Sequence, residues 1–228
     1  MQVAVVTVGN ELLSGDTTNT NAAWLGRELA ERGVSVERVT VVPDRVEDIA
    51  SVIATYRDEY DAVIVTGGLG PTHDDVTMEG VSRALDRDLV ENPDALEWLT
   101  EHGGYTREDL TEGTTVLPAG ARALHNAEGV APGAALDGVY VLPGVPEEMK
   151  SMFKSIAGEF HGEKRYTGSV VADEPESALI ERIDDVRDRF DVTVGSYPGD
   201  SVRLKLSGTD RDEVEAALEW LRDRVDEV

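Results

Sequence analysis

Residues 63–77 read Val-Ile-Val-Thr-Gly-Gly-Leu-Gly-Pro-Thr-His-Asp-Asp-Val-Thr. Val63–Thr66 is a short β-branched run with no polar alternation, as expected of a strand buried on both faces. Gly67, Gly68 and Gly70 allow turns that a side chain forbids, and Pro71 closes the loop. Beyond Asp74, Asp75 and Thr77 the apolar spacing becomes helical at Met78, Val81, Ala84 and Leu85. A strand that empties through a Gly-rich turn into a helix start aims backbone N–H groups at one spot, which suits a phosphate. Carboxylates in the same loop suit a divalent cation or a proton transfer. A plainer reading also fits: a tight strand-to-helix turn, with Asp74 capping the helix. Neither Gly-x-Gly-x-x-Gly nor Gly-Lys-Ser/Thr occurs there, so the dinucleotide fingerprint and the P-loop are excluded.

Upstream, Val3–Val8 reads as a central parallel strand. The long polar loop Gly9–Asn21 follows, with Asn21 as a plausible N-cap for a helix over Ala22–Arg32 that buries Ala22, Leu25, Leu29 and Ala30 and stops at Gly33. Val36–Val42 is a strand ended by Pro43-Asp44. Val46, Ile49, Ala50, Ile53 and Ala54 form the apolar stripe of the next helix. Strands alternating with helices imply right-handed βαβ units and a mostly parallel sheet covered on both faces, an α/β fold of three αβα layers. In such sheets ligands bind beyond the carboxyl ends of the strands. Glu11, Asn19, Asn21, Asp44, Asp74 and Asp75 all follow strand ends, and the layout predicts that they share one rim.

Downstream, Asn92–His102 carries a capping residue and a Pro at the first helical position, with Gly103-Gly104 ending the helix. Leu110–Pro118 fits no pattern. Asp137-Gly138 between Ala134–Leu136 and Val139–Leu142 signals a hairpin. Pro143-Gly144-Val145-Pro146 opens a helix running to about Phe160, whose start offers free N–H groups and places Lys150 where it can reach an anion. The same turn also serves as simple punctuation.

The chain has 228 residues, 40% hydrophobic content and a net charge of −25. Lysine occurs only at Lys150, Lys154, Lys164 and Lys205. Acid-rich, lysine-poor composition on a regular apolar pattern looks like a salt-adapted cytoplasmic protein, since molar salt shrinks screening lengths to about 3 Å. No basic stripe is present to neutralise nucleic-acid phosphates. The absence of cysteine excludes disulfides, zinc–thiolate sites and thiol chemistry. The N-terminal strand leaves no room for a signal peptide, and no apolar run reaches membrane-spanning length.

Gly9-Asn-Glu-Leu-Leu-Ser-Gly15 with Asn19 and Asn21, Pro43-Asp44, the Gly67–Thr77 motif, Gly129-Val-Ala-Pro-Gly133 and Pro143-Gly-Val-Pro-Glu-Glu-Met-Lys150 occur in order. In these pieces the chain resembles the N-terminal domain of the CinA (competence/damage-inducible protein) family. That family belongs to the molybdopterin-binding superfamily of MoaB, Mog and gephyrin-like proteins. Asn10 departs from the Asp or Thr usual there. The resemblance implies that Asp44 and Asp75 line the ligand site and that Gly67 to Thr72, including Gly68, Gly70 and Pro71, holds a phosphate end. It adds Ser14, Gly15, Thr77, Gly133, Pro143 and Gly144 to the ligand-binding candidates Glu11, Asn19 and Asn21. It does not extend to the nicotinamide-nucleotide deamidase domain of full-length bacterial members, so no deamidase activity is expected. Family members are dimers or other homo-oligomers, and a homo-oligomer is expected here.

The expected boundaries are a molybdopterin- or nucleotide-binding domain over residues 1–162 and a small α+β domain over 163–228. In the latter, Lys164–Val171 is a strand and Glu176–Phe190 a helix burying Ala178, Leu179, Ile183, Val186 and Phe190. Val192–Tyr197 and Val202–Ser207 form a hairpin, and Arg211–Val225 is the last helix. This βαββα module shows no ligand constellation.

Three functions stand open. The resemblance implies metal-dependent hydrolysis of a nucleotide pyrophosphate such as ADP-ribose. In that scheme Asp44, Asp75 and Lys150 are the catalytic positions, and Asp74 and Asp75, with Glu11 and Asp44, hold Mg²⁺ or a similar ion. The same crevice fits molybdopterin binding or adenylylation, and also a non-catalytic nucleotide-binding protein.

Overall fold

The computed structural model describes residues 1–227. The chain divides into two compact units, Met1–Gly162 and the segment from Glu163 onward.

The first unit runs β1 (Gln2–Val8), α1 (Asn10–Ser14), α2 (Thr20–Glu31), β2 (Ser35–Val42), α3 (Val46–Glu59), β3 (Ala62–Thr66) and α4 (Thr77–Leu85). It continues with β4 (Leu89–Glu91), α5 (Pro93–Glu101), β5 (Val116–Pro118), β6 (Arg122–Leu124), β7 (Gly133–Leu136), β8 (Val139–Leu142), α6 (Pro146–Ile156) and a short 3-10 turn, Ala157–Glu159. Six strands form one sheet in the order β2-β1-β3-β8-β7-β6. The first four are parallel, and β7 and β6 are antiparallel additions. β4 and β5 pair separately. β1 and β3 are buried almost throughout, which is why their sequences lack polar alternation. Val3, Val5, Ala62 and Ile64 pack one face against Leu25 and Leu29 of α2 and Met149 and Phe153 of α6. Val6, Val8, Val63 and Val65 pack the other against Ile49 and Ile53 of α3 and Val81 and Leu85 of α4. This is the three-layer α/β architecture.

The sheet order has one consequence for ligands. From β1 the chain leaves through α1 and α2 to reach β2 on one side, whereas β3, on the other side of β1, leads through α4 away towards β8. The two connections part above the β1–β3 pair, which is the switch point where open α/β sheets bind ligands.

Several local expectations are corrected. The loop after β1 contains the one-turn helix α1, and α2 is capped by Asn19, whose Oδ1 accepts from the Ala22 N–H at 3.1 Å. Asn21 lies inside the helix, because Thr20 already takes up helical geometry. Ala30, Ala54 and Ala178 are exposed rather than buried. Each stands next to a buried stripe (Leu25 and Leu29; Ile49, Ala50 and Ile53; Leu179 and Ile183), and one residue turns a helix by about 100°. Asp74 does not cap α4, whose N-cap is Val76 without a side-chain bond. The hairpin turn takes Asp137 and Gly138 to φ of 49° and 81°, as an Asp-Gly two-residue turn requires.

Asn92 caps α5 through the Ala95 N–H at 3.0 Å, and its Nδ2 donates to the Ala121 carbonyl at 3.1 Å. Asn92→Ala is expected to destabilise the protein by about 1 kcal/mol, read as a lower urea midpoint at unchanged slope.

The second unit is β9 (Tyr166–Ala172), α7 (Glu176–Arg189), β10 (Thr193–Tyr197), β11 (Val202–Gly208) and α8 (Arg211–Arg222). Its antiparallel sheet has the order β10-β11-β9. Val170, Leu204 and Leu206 alternate inward against Leu179 and Val186 of α7 and Leu218 and Leu221 of α8. Arg182 forks onto Glu174, donates to the Arg224 carbonyl, and so ties α7 to the segment after α8.

Candidate functional site

The turn after β3 depends on two glycines. Gly67 adopts φ of +97°, and a Cβ there would collide with the Val8 carbonyl oxygen. Gly68 adopts φ of +65°, and its Cβ would collide with the Thr77 hydroxyl. Close approach to β1 and to α4 thus leaves room only for hydrogen at both positions. The turn is fixed by the Gly67 N–H donating to Leu142 O at 3.1 Å and the Thr77 N–H to Gly68 O at 3.2 Å. Among the described residues the N–H groups of Gly68, Leu69 and Gly70 donate to no protein acceptor. They are three adjacent donors available to an anion.

Beside this turn lies a crevice of about 240 Å³. Glu11, Asn19, Asn21, Asp44, Gly67, Gly68, Asp74, Asp75 and Gly144 all line it, so the ends of β1, β2, β3 and β8 do meet at one mouth. Asp44 accepts from the Asn10 N–H at 2.8 Å, which fixes both the carboxylate and the start of α1. Asp75 accepts from the Thr72 N–H at 3.1 Å and from the Thr72 hydroxyl. Hydrogen bonding from the Thr72 side chain and then from its own backbone N–H holds the Asp74 carboxyl below the ordinary carboxylate range. Asn19 donates to the Thr7 hydroxyl at 3.0 Å, and Asn21 donates to Gly144 O at 2.7 Å, bringing the Pro143-Gly144 turn against α2. The Oδ1 of Asn21, a residue only 9% exposed, has no partner.

Other candidates fall elsewhere. Gly70, Pro71 and Thr72 line the neighbouring pocket described below. Thr77 is fully buried beneath Gly68. The Ser14 hydroxyl is spent on Glu11 O and Asp16, and Gly15 is the left-handed C-cap of α1. Gly133 sits in β7 against Val141 and Met152, and Pro143 is buried. Lys150 does not line the crevice: α6 reaches it with Pro146, and Lys150 lies about 6 Å further along the axis. Sequence reasoning did not single out Leu12, Thr17, Thr18 and Thr20, which also line the crevice. Their polar loop was the signal.

Among the described residues no three His, Cys, Asp or Glu side chains converge closely enough to cage a metal. The carboxylates do not by themselves form a closed cage for an ion. A cation carried on ligand phosphates needs only one or two protein carboxylates, and the four acids on the walls can supply those.

Residues 4–161 match the protein family described as "Probable molybdopterin binding domain". Residues 164–228 match one described as "FAD synthase, middle domain". A protein of Archaeoglobus fulgidus is 38% identical over 220 residues, spanning 96% of this chain and 95% of its own. A CinA-like protein of Salinibacter ruber is 37% identical over 96% of this chain, which corresponds to 59% of its own length. The crystal structure of CinA from Thermoplasma acidophilum matches with a TM-score of 0.64 and 38% identity, over 70% of this chain and 97% of that one.

Proposed function

The chain belongs to the molybdopterin-binding-domain family in its CinA-like form, and from that membership we propose that its crevice binds a phosphate-bearing nucleotide or pterin and hydrolyses a nucleotide pyrophosphate of the ADP-ribose type. The observation that carries this reading is the charge of the walls. Glu11, Asp44, Asp74 and Asp75 line the crevice with no Lys, Arg or His among the described residues, yet the free N–H of Gly68 lies on its wall and those of Leu69 and Gly70 follow it along the turn. Carboxylates repel a bare phosphate, so a diphosphate enters only with a cation. The chemistry such a cation supplies is neutralisation of charge on the diphosphate.

Within this reading Asp44 and Asp75 keep one oxygen committed, to Asn10 and to Thr72, and turn the other to the ligand. The Gly68–Gly70 N–H groups, expected to share with Lys150 the stabilisation of charge on a phosphoryl oxygen, take that role without the lysine. Water adds to one phosphorus, the bridging P–O bond breaks, and AMP and ribose 5-phosphate leave. Purified protein in molar salt with ADP-ribose is expected to release AMP with Mg²⁺ or Mn²⁺ and to stop when a chelator is added. No AMP with any divalent cation rejects hydrolysis. The family description supports a second reading, molybdopterin binding, to which adenylylation of the bound pterin is the enzymatic counterpart. Retention of molybdopterin without AMP release from ADP-ribose decides for that one, and nucleotide binding without turnover decides for a non-catalytic protein.

A further inference from the structure

Two pieces of the sequence that the crevice leaves unused meet beside it: Gly129-Val-Ala-Pro-Gly133, and Glu148 of the Pro143–Lys150 stretch. A second pocket of about 500 Å³ opens next to the crevice, with Gly68 and Asp75 on the wall of both. Val130, Ala131 and Pro132 contribute part of its wall. Leu69 and the irregular stretch 105–117 make much of the rest apolar.

Residues 126–132 belong to no helix or strand, so side chains must hold them. Asn126, only 1% exposed, does this from within: its Nδ2 donates to Ala131 O at 3.1 Å and its Oδ1 accepts from the Glu128 N–H at 3.2 Å. The amide has one more hydrogen to place, and it goes to Glu148 Oε2 at 2.8 Å. Glu148 stands on the first turn of α6 and lines neither cavity. Gly129 makes the approach possible, since a Cβ there would lie 2.5 Å from Glu148 Cδ. The same turn of α6 carries Pro146 on the crevice wall. A continuous path therefore runs from the crevice through Glu148 and Asn126 to the loop on the second pocket. We infer that Glu148 is a positioning residue: through Asn126 it sets where Val130, Ala131 and Pro132 stand beside the ligand. The inference rests on the reading of the crevice as the ligand site. Without an acceptor at Glu148 a buried N–H loses its charge-assisted bond, and the loop must open for water to replace it.

The test compares Glu148→Ala, Glu148→Gln and Gly129→Ala with wild type in ADP-ribose hydrolysis, in molar salt with Mg²⁺. Glu148→Ala is expected to raise KM about tenfold while kcat stays within about threefold. Glu148→Gln keeps an acceptor for Asn126 and is expected to hold KM within about threefold of wild type. Gly129→Ala pushes the same carboxylate aside and is expected to reproduce the rise in KM. The double variant is expected to be no worse than either alone, because both act through one contact. Hydrogen exchange across residues 127–131 is expected to quicken in the two Ala variants and not in Glu148→Gln. An unchanged KM in folded Glu148→Ala protein, or an equal rise in Glu148→Gln, overturns the inference while the hydrolytic reading stands. Should Glu148→Ala fail to fold, an unchanged KM in Gly129→Ala overturns it alike. If wild type releases no AMP, the hydrolytic reading falls, and the same comparison is read as the calorimetric Kd for AMP, with the same changes expected. Equal Kd values in all four proteins, or no binding by wild type, then overturn the positioning role.

Discussion

Asp75→Asn is expected to lower AMP release from ADP-ribose by about 10²–10³-fold, with the thermal midpoint nearly unchanged. The carboxylate lies on the wall shared by both cavities, next to the free N–H groups of the Gly-rich turn. Its structural task is to accept from Thr72, and an amide oxygen can still accept there, though more weakly than a carboxylate oxygen. The substitution removes charge and leaves the turn in place, so turnover and stability separate. Asp44→Asn is expected to behave likewise, because the amide oxygen still accepts from the Asn10 N–H. Steady-state rates at saturating Mg²⁺, paired with melting curves, read the effect. Unchanged turnover in a folded Asp75→Asn protein removes this residue from the chemistry.

Gly67→Ala is expected to destabilise the first unit by about 3 kcal/mol or more. The left-handed backbone alone costs a side-chain-bearing residue about 1–2 kcal/mol, and the added methyl drives into the carbonyl of Val8 in a strand that cannot retreat. Gly104→Ala is the control: φ is +74°, but nothing lies within 4 Å of the new carbon. It is expected to cost about 1 kcal/mol. Equal losses in chemical denaturation for the two variants refute the steric account of Gly67.

Elements with strong periodicity were legible from the chain alone. β1 and β3 are apolar on both faces, α5 carries Asn92-Pro93 at its start, and Asp137-Gly138 joins β7 to β8. β4, β5 and β6 were not, because three residues are too few to show a period and their pairing is set by tertiary contact. The helix α1 escaped notice because it buries no residue, so no apolar stripe marks it. Asn19 and Asn21 are equal as caps in sequence; packing against Thr7 and Gly144 decides between them. At the site, the loops dense in Gly, Asp and Asn announced the polar crevice. The apolar pocket announced nothing, since its wall comes from irregular chain that a hydropathy pattern cannot interpret.

The parting of the chain above β1 and β3 also bears on how this architecture can be retuned. A hollow made by two backbones diverging in opposite directions needs no bulky residue to prop it open and none to be deleted to create it. The loops on either side can therefore be rewritten, residue by residue, while the strands beneath keep their pairing. Grafting a different loop onto the end of β1 or β3 should change what is held without changing what folds.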